Sequence, residues 1–404
     1  MTTRKASAPK WEFKARFRRG AFGWKSEPAI LRIRQAVSEI TKVARTDPVL
    51  AAEGAVAFLE RISPALEHVD GSSGAIGTAV NRAIDDLTRI IAGAPSDPKT
   101  RADWLSRLWA AYDADEIPYI EALGDHWGEL CGSAELASEW ADSLMDTTRM
   151  ALSPDPSLHG YFRGTSACLS ALFRAARYQE IIDIVEGEQI WSYKQWAVRA
   201  LAAMGKTCEA IAYSESLRGR WVPDRKVDSL CEEILLASGF AEEAFEHYAA
   251  RNVTAGTYLA SFRSTARRYP HKQPAEILAR LVRATPGCEG KWFAAAKEAG
   301  LFDEALALAT QSPCDPKTLT RAARDFMDVR PGFSAEAGFL AIRWVAEGHG
   351  YEITSADVSA AYDSALRASE RIGTSGEMRM RIKDLVSANP CSFVARSLDQ
   401  ELER

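Results

Sequence analysis

A reversing turn that recurs between apolar helical segments is the feature that most narrows what this chain can fold into. Four stretches share it: LFRAARYQEIIDIV from residue 172, ALAAMGKTCEAIAYS from 200, ILLASGFAEEAFEHY from 234 and AAKEAGLFDEALALA from 295. Each is the small-residue end of one helix, a turn of one or two residues, and then Glu followed by an apolar residue in the next helix. Glycine supplies the tight turn. Ala176 and Gly205 are 29 residues apart, and Gly205 and Gly239 are 34 apart. Gly239 and Gly300 are 61 apart, which leaves room for one more unit, TYLASFRSTARRYPHKQPAEILARLV, where Tyr269-Pro270 stands in place of the glycine.

Alternation with a period of two is nearly absent. GYEIT at 350 is the one strand candidate, and Thr354 reads better as a helix N-cap with Asp357 in the first turn. Elsewhere the period is helical. PAILRIRQAVSEITKVAR places Ile30, Ile33, Val37 and Ile40 on one stripe, with Arg32, Arg34 and Lys42 largely elsewhere. Asp47-Pro48 restarts a helix, Ser63-Pro64 is expected to restart another, and AIGTAVNRAIDDLTRIIAG, ADWLSRLWAAY, YIEALGDHWGELC and SAELASEWADSLMDTTRMAL follow. More than about 65% helix is expected.

The GxxxEA turns at 205 and 239, with GLFDEA at 300, resemble the inter-helix turn of tetratricopeptide repeats. The resemblance covers about residues 165 to 310, and spacings of 29 to 34 mark the repeats as irregular. It implies an all-α fold, a right-handed superhelix of stacked antiparallel helical hairpins. The closing segment AGFLAIRWVAEGHGYEITSADVSAAYDSALRASE looks like the C-terminal module of bacterial helical-repeat proteins of unassigned function. The expected organisation is a basic aromatic segment at 1–25, a helical region at 26–152, tetratricopeptide-like repeats at 160–310 and C-terminal helical repeats with a cap at 311–404. The proline-punctuated ALSPDPSLHG is the clearest break, and packing is expected to continue across it.

Charge is distributed unevenly. The chain carries 50 basic and 55 acidic residues, a net of −5, so the molecule as a whole is no general polyanion binder. Residues 1–25 nonetheless hold +7, leaving −12 over the remainder, and they also contain Trp11, Phe13, Phe17, Phe22 and Trp24. Alternating aromatic and basic residues suit stacking on bases, or docking on an acidic surface. Because +7 beside −12 is self-complementary, packing onto the chain's own fold or a second copy is favoured. Lys14, Arg16, Arg18, Arg19 and Trp24 are the residues that would make contact. Trp191, Tyr193 and Trp196 cluster in EQIWSYKQWAVRAL and would suit the inner groove of a superhelix.

Reactive constellations are scarce. Seven cysteines, an odd and widely spaced set with no CxxC, read as reduced and mostly buried thiols rather than a disulfide or zinc framework. The N-terminus lacks the apolar core of a signal peptide, and a cytoplasmic location is the expectation. His126 in YIEALGDHWGEL, one turn from Glu129, is the best histidine for a metal-assisted hydrolase. GSSGAIG at 71–77 lacks a following Lys-Ser or Lys-Thr pair, GKT at 205–207 follows a helix, and Ser133 in CGS fits an N-cap better than a nucleophile. The resulting expectation is a non-catalytic helical-repeat scaffold that binds a protein partner or a second copy, without cofactor or metal. The alternatives are a nucleic-acid-associated protein working through residues 1–25, and a metal-assisted hydrolase centred on His126.

Overall fold

The structure is a computed structural model that describes residues 11–219, 222–252 and 256–402. Helices account for 71% of the described residues, in 22 α-helices and two short 3-10 turns, and no strand occurs among those residues. The chain divides into two compact units, Met1–Leu230 and Cys231–Arg404, so ALSPDPSLHG lies inside the first.

The first unit opens with five helices: α1 (Phe13–Arg16), α2 (Ser26–Ala44), α3 (Pro48–Ala65), α4 (Ala75–Gly93) and α5 (Pro98–Asp113). α3 is central, and its buried residues run all the way round it, from Ala51 and Ala52 through Val56, Phe58 and Leu59 to Ile62. α2 and α4 pack on it and on each other, while α5 crosses to it through polar side chains. Arg107 of α5 forks onto Glu60 at 2.9 and 2.8 Å and reaches Glu53 at 2.8 Å, and the Trp104 indole N–H donates to Glu53 at 2.8 Å. Asp47 and Asp97 cap the starts of α3 and α5, each followed by proline at the position where a missing N–H costs nothing. α3 does not restart at Ser63-Pro64. Pro64 falls in its last turn, and the Leu66 N–H still reaches the carbonyls of Ile62 and Ser63.

The end of α4 is closed by a buried cation. Arg101 of α5, 7% exposed, donates to the carbonyls of Ile91 at 2.6 Å, Ala94 at 2.8 Å and Leu130 at 3.4 Å. The Ile91 and Ala94 oxygens lie at the negative end of the α4 dipole, and the Leu130 oxygen lies in the last turn of a second helix, Trp127–Cys131. Beyond α5, the segment expected as one helix from Tyr119 splits into a 3-10 turn, Glu121–His126, and a short helix, Trp127–Cys131. Gly128 N–H donates to Ser170 Oγ at 3.0 Å, seating that short helix on Thr165–Arg174. Ala134–Ala151, capped by Ser133, packs on Thr165–Arg174 across the proline-rich break.

In the second unit a buried carboxylate gathers its neighbours. Glu232 accepts from the Tyr269 hydroxyl at 2.6 Å and Asn252 Nδ2 at 2.6 Å, with Arg268 Nε at 3.3 Å. Trp292, fully buried, donates to Thr285 Oγ1 at 2.8 Å, and Phe293, Phe302, Phe326 and Phe333 form a ring cluster of their own. Pro331–Ala346 and Ser355–Arg371 pack closely, and Thr354 and Asp357 cap the latter reciprocally, at 2.8 Å and 3.3 Å.

Six helices end in one geometry. Ala176, Gly205, Gly239, Gly300, Gly348 and Gly373 have φ between 57° and 85°, and the N–H after each reaches the carbonyl five residues back at 2.8–3.0 Å. A Cβ at Gly205, Gly239 or Gly300 would meet nothing within 4 Å, so the backbone angle and not space selects glycine. Tyr269, by contrast, is not left-handed (φ −123°) and is buried, and Gln273-Pro274 with Glu276 opens the next helix through a capping box.

Two predictions follow from these terms. Ala176→Gly relieves left-handed strain and is expected to raise stability by about 0.5 kcal/mol, while Gly239→Ala lowers it by about 1 kcal/mol. Denaturant melts showing the same sign for both would contradict the turn geometry. The second concerns Asp115, fully buried, which accepts from Ser63 Oγ and from Ile120 N–H at 2.8 Å. Burial pushes its carboxyl up, against those two hydrogen bonds. A folded pKa above the unfolded one means stability present at low pH and lost as pH rises through the folded pKa. Asp115→Asn does not titrate, so its Tm relative to wild type is expected to climb between about pH 4 and pH 7. A pH-independent difference would refute the shift.

Candidate functional site

The N-terminal segment, from Trp11 onward, is part of the first unit's core on its aromatic side. Trp11, Phe13 and Phe17 are 6%, 1% and 1% exposed. Phe13 and Phe17 meet Phe58 of α3 edge-on, with ring centroids at 5.4 and 4.9 Å. Trp11 lies directly over Gly54, where an added Cβ would stand 2.3 Å from the ring. Polar ties complete the seat. Glu39 of α2 accepts the backbone N–H groups of Glu12 at 2.8 Å and Phe13 at 3.3 Å, Gly20 N–H donates to Pro64 O at 2.9 Å, and Asp70 N–H donates to Trp24 O at 2.9 Å.

The basic side of the same segment faces outward. Arg16 pairs with Glu12 at 2.9 Å and touches Gln35 at 3.3 Å, and Arg19 pairs with Glu67 at 3.1 Å. Lys14 and Arg18 are exposed, without an ion pair or hydrogen bond among the described residues, and Trp24 is 72% exposed. Only part of the expected charge complementarity is therefore realised within the fold. Arg4, Lys5 and Lys10 lie outside the described residues.

Basic character continues on α2, where sequence reading placed Arg32, Arg34 and Lys42 off the apolar stripe without assigning them a site. Arg32 shares Gln35 with Arg16, donating at 2.7 Å. On the opposite flank, α2 and α4 enclose an open groove of about 470 Å³. At its base Val37 of α2 and Ala79 of α4 are half-buried, over Ile33 and Ala83, which belong to the core. Its walls carry Arg34, Lys42, Arg45 and Arg82. All four are exposed, and none meets a carboxylate or a hydrogen-bond acceptor among the described residues. The one acid in the lining, Asp86, is engaged by Arg89 at 3.3 Å. The signal for this groove was in the sequence as cations on two helices, but the register that brings α2 and α4 together was not.

The other sequence-chosen residues fall elsewhere. Trp191, Tyr193 and Trp196 are 8%, 9% and 8% exposed, and Tyr193 and Trp196 belong to the core of the first unit. Trp191 borders a small cavity with Lys194, whose ammonium donates to Glu186 O at 2.7 Å. His126 is 3.2 Å from Asp85 of α4 and 3.8 Å from Glu129, an interhelical contact. Among the described residues no three His, Cys, Asp or Glu side chains converge in a metal-binding arrangement. Burial pushes the Cys131 and Cys314 thiols up to about 12 and Cys168 to about 11. Cys131, Cys168, Cys231 and Cys314 are buried, while Cys208 and Cys391 are exposed. Among the described residues no helix is long and apolar enough to cross a membrane.

Gly54→Ala is expected to unseat Trp11 at a cost of about 1–3 kcal/mol and to speed tryptic cleavage at Lys14, Arg16, Arg18 and Arg19. An unchanged cleavage rate would show that the segment is held by something other than this contact. Neither a known family model nor a curated protein matches the chain.

Proposed function

We propose that this chain is a non-catalytic helical scaffold that binds another protein, with its helical hairpins stacked as in a right-handed tetratricopeptide-like superhelix. The observation that carries the reading is the N-terminal surface. Lys14 and Arg18, on a segment seated by buried aromatic side chains, are cations that the described residues leave unpaired, and the groove on the other flank of α2 carries four more. The recurrence of one left-handed turn at 176, 205, 239 and 300 supports the hairpin relation to tetratricopeptide repeats. A polar rim around an apolar floor is the composition of a protein-binding surface.

The test is affinity purification of the full chain from its source cells after nuclease treatment, beside a Lys14→Glu/Arg18→Glu variant. A protein retained in stoichiometric amount is the expected result. Recovery of nucleic acid alone, lost in the variant and at high salt, would overturn the reading in favour of a nucleic-acid-associated protein.

A further inference from the structure

We propose that the groove between α2 and α4 is the docking site for an acidic amphipathic helix of a partner protein. The inference rests on the scaffold reading and names the chemistry of the partner. Its first support is the gathering of four unpaired cations around one groove. Arg107 is clasped by Glu53 and Glu60, Arg177 by Asp142 and Glu180, and Arg381 by Glu336. In a chain with 55 acidic residues against 50 basic ones, carboxylates are in excess. Arg34, Lys42, Arg45 and Arg82 nevertheless surround one groove with none of them paired. Four like charges at close quarters repel each other, and an anionic occupant turns that repulsion into attraction.

The second support is the floor. Val37 and Ala79, the half-buried apolar residues of the lining, offer no ring on which a nucleic-acid base would stack, and a phosphate backbone gains nothing from aliphatic surface. An amphipathic helix satisfies both parts of the groove. Its leucine-like residues at i, i+3 or i+4, and i+7 lie on the floor, and its flanking carboxylates face Arg34, Lys42 and Arg45 on one wall and Arg82 on the other. The stretch of α2 from residue 33 to residue 45 spans about 18 Å at 1.5 Å per residue, enough for about three turns of a bound helix.

The experiment is fluorescence anisotropy of the full chain with a fluorescein-labelled peptide of about 18 residues, leucine on one helical face and glutamate on the rest. Saturable binding is expected, weakened about tenfold by Arg34→Glu/Arg82→Glu and reduced as NaCl rises from about 50 to about 300 mM. Thr41→Trp, at an exposed lining position, is expected to block the groove without changing its charge. All these side chains are exposed, so unchanged circular dichroism melts separate lost binding from lost folding. Equal binding by wild type and both variants would overturn the proposal. So would equal binding of a leucine-free polyglutamate, tighter binding of a single-stranded oligonucleotide or an anionic vesicle, or self-association abolished by the charge reversal. If the charge-reversed chain still retains its partner in the affinity purification, the groove assignment fails and the scaffold reading stands.

Discussion

An all-helical chain has to dispose of the carbonyls that every helix leaves unsatisfied at its C-terminus, and this fold depends on how that is done. Six times the answer is a single residue in left-handed backbone, which folds the next N–H back onto a carbonyl five residues earlier. The helix stops and the chain reverses within two residues, so successive helices are placed side by side without long connections. At α4 the answer is different. The chain inserts a whole guanidinium, Arg101, against the carbonyls of Ile91, Ala94 and Leu130. Burial lowers that group's pKa, yet oriented carbonyls at the ends of α4 and of the helix Trp127–Cys131 supply the negative field it needs.

The same economy governs buried acids. Asp115 and Glu232 are nearly inaccessible, but each gathers donors from separate elements: Ser63 and Ile120 for the first, Tyr269 and Asn252 for the second. A buried carboxylate without such partners would cost several kcal/mol, so these networks also fix which elements meet. The four cations beside α2 and α4 have no such partners among the described residues. They lie at the surface, where leaving them unpaired costs little, and their cost falls when an anion arrives.

Much of the helical fold was legible because helix periodicity and turn chemistry are local. Gly205, Gly239 and Gly300 announced tight turns, Asp47-Pro48 announced a helix start, and Thr354 announced an N-cap with Asp357 in the first turn. Ser63-Pro64 misled, since a proline in a last turn has the same local signature as one in a first turn. What governed the site was not local. The partner of Trp11 is a glycine 43 residues away, and the groove exists only because α2 and α4 pack together. Trp191, Tyr193 and Trp196 show the converse. Aromatic richness marks a core as readily as a binding face, and only packing tells them apart.

The N-terminal segment brings these strands of reasoning together. In sequence it reads as one object, aromatic and basic at once, and a flexible tail would display both properties together. Folded, it separates them by side. Trp11, Phe13 and Phe17 enter the core, while Lys14, Arg16, Arg18 and Arg19 remain outside. Anchoring removes the ordering entropy that a loose basic tail would lose on binding. It also sets Arg16 beside Arg32 of α2 through their shared Gln35, so the cations of the segment adjoin those of the helix. The aromatic residues therefore act through position. By holding the segment to α3, they turn a run of basic residues into part of a surface with fixed spacing.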